Sequence, residues 1–135
     1  MSDIQDNPES LLAAIDLGSN SFHLIIAKSD FGELRPVQAL AEKVQLGETS
    51  SAAMLTPGAI ERGLACLERF KQLIDSTAPA KLRIVGTNAL RRAKNRQDFT
   101  EPAEQILGAP IDVIYGREEA RLIYLGVAHT LSDDE

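Results

Sequence analysis

LLAAIDLGSNSFHLIIAK, residues 11 to 28, is the stretch around which the chain is organised. An apolar run reaches Asp16, a break of small residues follows at Gly18 to Asn20, and a second apolar run leads away. Two β-prone runs around so short a polar break predict a hairpin. The same break has a second reading. Gly18 carries no Cβ to hold a ligand off the backbone. Successive amides, with the hydroxyls of Ser19 and Ser21, are donors suited to phosphate oxygens. Asp16 beside them is a hard oxygen ligand of the kind Mg²⁺ takes in ones and twos, together with phosphate and water. Gly, Ser and Asn are also ordinary turn residues, so a plain hairpin and an anion cradle both fit.

Composition narrows what surrounds this stretch. The chain has 135 residues, 44% hydrophobic and 25% charged, which describes one soluble globular domain. No apolar run approaches the roughly 20 residues that span a bilayer, so no membrane partner is expected. The opening MSDIQDNPES lacks the basic start and apolar core of a secretory signal. Residues 1 to 10 therefore read as a flexible leader, and the expected address is cytoplasmic. Cys66 is the only cysteine; it excludes an internal disulfide, and its apolar helical surroundings suit a packed, inert thiol. A net charge of −6 argues against general nucleic-acid binding, which rests on neutralising phosphates with Lys and Arg. Arg91, Arg92, Lys94 and Arg96 nevertheless form a dense basic cluster. Such a cluster can receive a compact polyanion, or it can be a solvated face paired with carboxylates. His23 and His129 have no ligand set around them.

Outward from the hairpin, ELRPVQALAEKVQL (33 to 46) supplies a third extended strand after a turn at Asp30 to Gly32, and Pro36 places it at an edge or a strand entrance. Gly47 to Leu55 reads as a loop. Thr56 is suited to an N-cap with Pro57 at the first helical position, and Ile60, Leu64, Leu67, Phe70 and Ile74 recur at helical spacing. KLRIVG (81 to 86) reads as a buried strand, and a short helical piece runs through Arg91 and Arg92. A second helix is expected over about Asp98 to Leu107, stopped by Gly108 and Pro110, with Pro102 limiting its upstream reach. Ile111 to Tyr115 reads as a further strand, and Arg117 to Thr130 as a final helix. The sum is an α/β fold: a mixed five-stranded sheet, antiparallel first and parallel later, with helices over its faces. Asp16, Thr87 and Gly116 fall at strand ends, where such sheets gather ligands.

DLGSNSF (16 to 22), VGTNALRRAKN (85 to 95) and YGREEARLIYLGV (115 to 127), in that order and spacing, closely resemble the N-terminal part of the exopolyphosphatase and guanosine pentaphosphate phosphohydrolase (Ppx/GppA) family. The similarity runs from about Leu12 to Thr130. It implies a ribonuclease-H-like lobe of the actin-like ATPase superfamily, occupying residues 11 to 131, with 132 to 135 as a truncated acidic end. It also implies Mg²⁺-dependent hydrolysis of the terminal phosphoanhydride of inorganic polyphosphate, or of the 5′ terminal phosphate of guanosine pentaphosphate. By position, Asp16 resembles the metal-holding aspartate, and Gly18, Ser19, Asn20 and Ser21 resemble the first phosphate loop, joined by Thr87. Arg91 is similar to the substrate-contacting arginine and Glu119 to the general base. Two acidic residues opening a helix are also favoured simply by its dipole, so the residues alone leave the role of Glu119 open. Tyr115 departs from the Ser or Thr usual before that glycine. The family's second phosphate loop has no counterpart before Glu135. The expectation is therefore one lobe of an enzyme, a homodimer when full-length, with negligible activity in this piece and weak self-association through its last helix. A non-catalytic phosphate-binding or regulatory module, or the lobe of an actin-like small-molecule kinase, are the alternatives.

Overall fold

The computed structural model describes residues 11–30, 33–47, 53–86 and 88–114. The expected leader, Thr87, Tyr115, Glu119, the final helix and the acidic end lie outside them.

The hairpin forms as the opening stretch predicts. β1 (Leu11–Leu17) pairs antiparallel with β2 (Ser21–Asp30), and β2 pairs with β3 (Glu33–Lys43). Helix α1 (Pro57–Thr77) then leads to β4 (Lys81–Gly86), which lies parallel to β1 on its other side. Short helix α2 (Asn88–Arg92) and helix α3 (Gln97–Leu107) precede β5 (Asp112–Val113), which runs parallel to β4. Among the described residues the sheet therefore has the order β3-β2-β1-β4-β5. This is the mixed five-stranded sheet expected of a ribonuclease-H-like lobe.

Register divides β1 into two faces. Ala13, Ile15 and Leu17 sit opposite Ile26, Leu24 and Phe22. With Ile84 they form a dry surface against which α1 and α3 pack. Phe22, Phe70 and Phe99 are fully buried there, and the rings of Phe22 and Phe99 meet at 5.9 Å between centroids. Leu12, Ala14, Ala27 and Val85 are buried on the opposite face, which Asp16 shares.

α1 begins as its residues direct: Thr56 Oγ1 accepts from the Ala59 amide at 3.1 Å, with Pro57 in the first turn. Leu67, Phe70 and Ile74 of its expected apolar stripe are buried, and the buried stripe extends further round the helix than expected. Ile60 and Leu64 are only partly buried, and the deepest line includes Ala59, Gly63 and Cys66. The reason is the approach of α3. A Cβ on Gly63 would stand 2.7 Å from a Phe99 ring carbon, so a small residue there admits the ring. α3 starts at Gln97 and carries Pro102 inside it, rather than being limited by that proline. Gly108 caps its end at φ 71°, its amide donating to Glu104 O at 2.8 Å.

Pro36 does mark an edge. β3 is the outer strand, and a bulge opposite Ile26 and Ala27 leaves Val37 between their partners Gln38 and Pro36. Proline and a bulge are two ordinary means of blunting an exposed edge. The strand ends at Lys43, three residues short of the expected Leu46. Gln45 adopts φ 55°, and the chain turns there to run under the tip of the first hairpin.

Candidate functional site

Three pieces of backbone meet beyond the end of β1. The first is the hairpin tip, closed by the Gly18 amide donating to Ser21 O at 3.1 Å. A Cβ on Gly18 would lie 2.9 Å from that same oxygen. Glycine is thus needed here for the hairpin to close on itself, a local reason beyond the room for a ligand expected from the sequence. Ser19 and Asn20 are exposed, Ser21 half-buried.

The second piece is the strap formed by residues 44–47. Val44 and Gln45 amides donate to Asn20 O at 2.9 and 2.8 Å, and the Gly47 amide donates to Ser19 O at 2.8 Å. The fit is close: a Cβ on Gly47 would be 3.1 Å from that of Ser19. With both tip carbonyls committed to the strap, and the peptide bonds trans, the amides of Asn20 and Ser21 point away from it. A trans peptide sends its N–H opposite its C=O.

The third piece is α2 with the turn after it. Asn88, Ala89 and Arg92 face Ser19, Gly47 and Ala53 across a cleft of about 410 Å³. Arg92 is the basic residue on this wall. Arg91 is exposed and donates from Nη2 to Asn88 Oδ1 at 3.2 Å, and Lys94 and Arg96 are exposed as well. Of the three strand ends expected to converge, those after β1 and β4 do meet. Gly116 lies outside the described residues, and the third wall is made instead by Gly47 and Ala53.

Asn95 holds this third wall in place. Its Oδ1 accepts from the Leu55 amide at 2.8 Å, and its Nδ2 donates to Leu55 O at 3.1 Å. The Lys94 amide adds a bond to Ala53 O at 3.0 Å. The far end of the strap is likewise tied, by Arg62 of α1, whose Nε donates to Val44 O at 2.8 Å. Neither residue was marked by the sequence. Asn95, a turn-forming residue between two helical pieces, carried a usable signal; Arg62, one charged residue on a solvated helix face, carried none.

Asp16, next to the end of β1, is half-buried, with Oδ1 fully buried, and is not among the residues lining the cleft. Among the described residues no group of three or more His, Cys, Asp or Glu could hold a metal. A single carboxylate near hydroxyl donors does fit Mg²⁺ sharing its shell with phosphate and water. His23 is exposed on β2. Cys66 is buried, and burial first, then the nearby Glu42 charge, pushes its thiol up to about 12. That is an inert thiol, as its surroundings indicated. No helix among the described residues is long and apolar enough to cross a membrane.

The fold is shared with known proteins. The family model of the Ppx/GppA phosphatase family matches residues 25–135. The chain is similar to the solved Aquifex aeolicus member of that family, at 34% identity and a TM-score of 0.80, over 92% of this chain and 41% of that one. It is similar also to an exopolyphosphatase from Cytophaga hutchinsonii, at 28% identity and a TM-score of 0.78, over 87% and 38%. An exopolyphosphatase-like protein matches at 33% identity and a TM-score of 0.78, over 86% of this chain and 36% of the other. The chain thus spans about two fifths of the length of these solved relatives.

Proposed function

Because this chain belongs to the Ppx/GppA phosphatase family, we propose that it is the lobe presenting the first phosphate loop of an enzyme that cleaves a terminal phosphoanhydride. The substrate is inorganic polyphosphate, guanosine pentaphosphate, or both. The observation that carries the reading is the cleft itself: Ser19 of the hairpin tip and Gly47 of the strap face a helix that brings Asn88 and Arg92 to the other wall, and the neighbouring Asn20 and Ser21 amides are turned away from the strap.

Phosphoryl transfer asks for positioning and charge neutralisation more than for covalent chemistry. In this reading the Ser19 and Ser21 hydroxyls and the tip amides, with Gly18 closing the turn and Thr87 joining them, orient phosphate oxygens. Arg91 supplies a cation that does not deprotonate and can donate from two nitrogens at once. Asp16 would hold Mg²⁺, which when bound would neutralise charge on phosphate oxygens. Glu119 accepts the proton of the attacking water. Since the chain spans about two fifths of its solved relatives, it contributes one wall of the site and turns over negligible substrate alone. The complete enzyme is proposed to be a cytoplasmic homodimer.

The test is a titration of this chain with inorganic tripolyphosphate, with and without Mg²⁺, followed on backbone amide resonances. Ser19, Asn20, Ser21 and Asn88 should shift together, Mg²⁺ should tighten binding, and Asp16→Asn should abolish the Mg²⁺ effect. Shifts confined to Lys94 and Arg96 would overturn the reading in favour of a solvated basic face. Phosphate release at a rate near that of an intact relative would refute the claim of negligible turnover.

A further inference from the structure

Arg62 stands on α1, away from the cleft lining, and its guanidinium lies back over the first turn of that helix. A Cβ on Gly58 would be 3.4 Å from its Nη1, an ordinary contact distance. Nε donates to Val44 O at 2.8 Å, and Nη2 approaches Gln45 O at 3.4 Å.

The peptide unit that receives Nε is the one joining Val44 to Gln45, and its other end is the Gln45 amide. That amide donates to Asn20 O at 2.8 Å. The Asn20 carbonyl in turn belongs to the peptide unit whose other end is the Ser21 amide. Since these units are trans, the order is guanidinium N–H to O=C–N–H to O=C–N–H, two peptide dipoles in series. Each bond in such a series polarises the next, and a charged donor at its head strengthens it further.

We infer that Arg62 is a positioning residue for the hairpin tip: it aims and polarises the Ser21 amide through the 44–45 and 20–21 peptide units. The relay delivers part of the effect of a cation to a backbone N–H without placing the cation in the cleft. It also fixes the direction of that N–H, because Asn20 O cannot leave the strap without breaking the Val44 and Gln45 bonds together. Lysine cannot replace it fully, since an ammonium is a point donor and lacks the planar fork that spans two successive carbonyls. The value of the relay for anion binding rests on the phosphate-loop reading; the relay itself does not.

Arg69 supplies the control. It lies two turns further along α1 and also reaches the sheet region, donating from Nε and Nη2 to Glu42 at 2.8 and 2.6 Å. It is a clip between helix and edge strand that does not lead to the tip.

The experiment compares the unmodified chain with Arg62→Ala, Arg62→Lys and Arg69→Ala by amide chemical shift and hydrogen exchange, then by tripolyphosphate titration. In Arg62→Ala the Gln45 and Ser21 amide protons should move upfield, and the Gln45 and Gly47 amides should exchange about tenfold faster or more. Ile15 and Ile84 should keep their protection, reporting an intact sheet. Arg62→Lys should restore part of each change, and Arg69→Ala should leave Ser21 where it is. Tripolyphosphate binding should weaken several-fold in Arg62→Ala. Unchanged Ser21 and Gln45 amides in both Arg62 variants would overturn the inference, as would an equal Ser21 shift in Arg69→Ala. If the Arg62 effects appear but tripolyphosphate perturbs no tip amide of the unmodified chain, the relay stands and the phosphate-loop reading falls.

Discussion

The two regions that meet at the end of β1 are built by different forces. Beneath α1 and α3, the sheet face is closed by side chains without polar atoms, and Phe22, Leu67, Phe70 and Phe99 have no exposed surface. At the rim the hairpin tip, strap and α2 are held by backbone amides and two polar side chains, Arg62 and Asn95, with Ser19, Asn20, Gly47 and Arg92 exposed. Packing is non-directional and depends on volume, whereas hydrogen bonds fix where an amide points. The face therefore determines that the lobe exists, and the rim determines what its loop presents. The two join within α1, where Gly63 admits the Phe99 ring and its neighbour Arg62 reaches the strap.

If the regions are separable in this way, a cut in the face should cost far more stability than a cut in the rim. Phe99→Ala removes a fully buried ring that fills the space left by Gly63 and touches Phe22. It should cost about 3–5 kcal/mol, read as a lower midpoint in chemical denaturation. A loss under about 1 kcal/mol would mean that α3 is not part of the same cooperative unit, and the comparison would break. Asn95→Ala leaves the Leu55 amide and carbonyl without the partners they now have. It should cost about 1–3 kcal/mol, together with faster exchange of the Leu55 amide. Asn95→Asp keeps an acceptor for that amide and loses the donor, so it should fall between. A cost from Asn95→Ala equal to that of Phe99→Ala would show the rim to be as structural as the face.

The face was largely legible in the residues, and the rim was not. Alternating and continuous apolar runs identify β1, β2 and β4, and Thr56-Pro57 and Gly108 mark helix ends, because burial and capping are local or periodic. Pro36 told of the edge for the same kind of reason: one residue lacking a donor can occupy few places in a sheet. The stripe of α1 is wider than its spacing suggested, because what Gly63 faces is set by Phe99, a partner distant in sequence. The strap was missed altogether. Its position depends on Val44, Gln45 and Gly47 bonding to residues of another hairpin, and on Asn95 bonding 40 residues back to Leu55. Neither hydropathy nor spacing encodes such pairings. Of the site, the tip residues and Arg91 stood out by type and order, while Arg92 as a cleft wall became visible only once α2 was placed.

The last expected effect lies at the edge of the face, away from the rim, and is absent at neutral pH. Cys66 belongs to the buried cluster, yet its thiol donates to Glu42, which Arg69 also holds. The hydrogen bond from Arg69 keeps the Glu42 carboxyl below its ordinary 4.5. Its contribution is therefore present above the ordinary carboxylate range and is lost as pH falls through the lowered folded value. The thiol moves the other way, from an ordinary 9.0 up to about 12. An acid so raised keeps its proton in the folded chain at a pH where the unfolded chain has already ionised. Stability should be insensitive to ionisation of Cys66 at neutral pH, begin to fall as pH rises past about 9, and stop falling from this cause above about 12. Denaturation midpoints measured from pH 7 to 11 should show that decline, and Cys66→Ala should flatten it while lowering stability at pH 7. The native thiol should also resist alkylation at pH 8 on a timescale set by unfolding. A decline that persists unchanged in Cys66→Ala would assign the alkaline loss to another group and detach Cys66 from the polar cluster at the edge of the sheet.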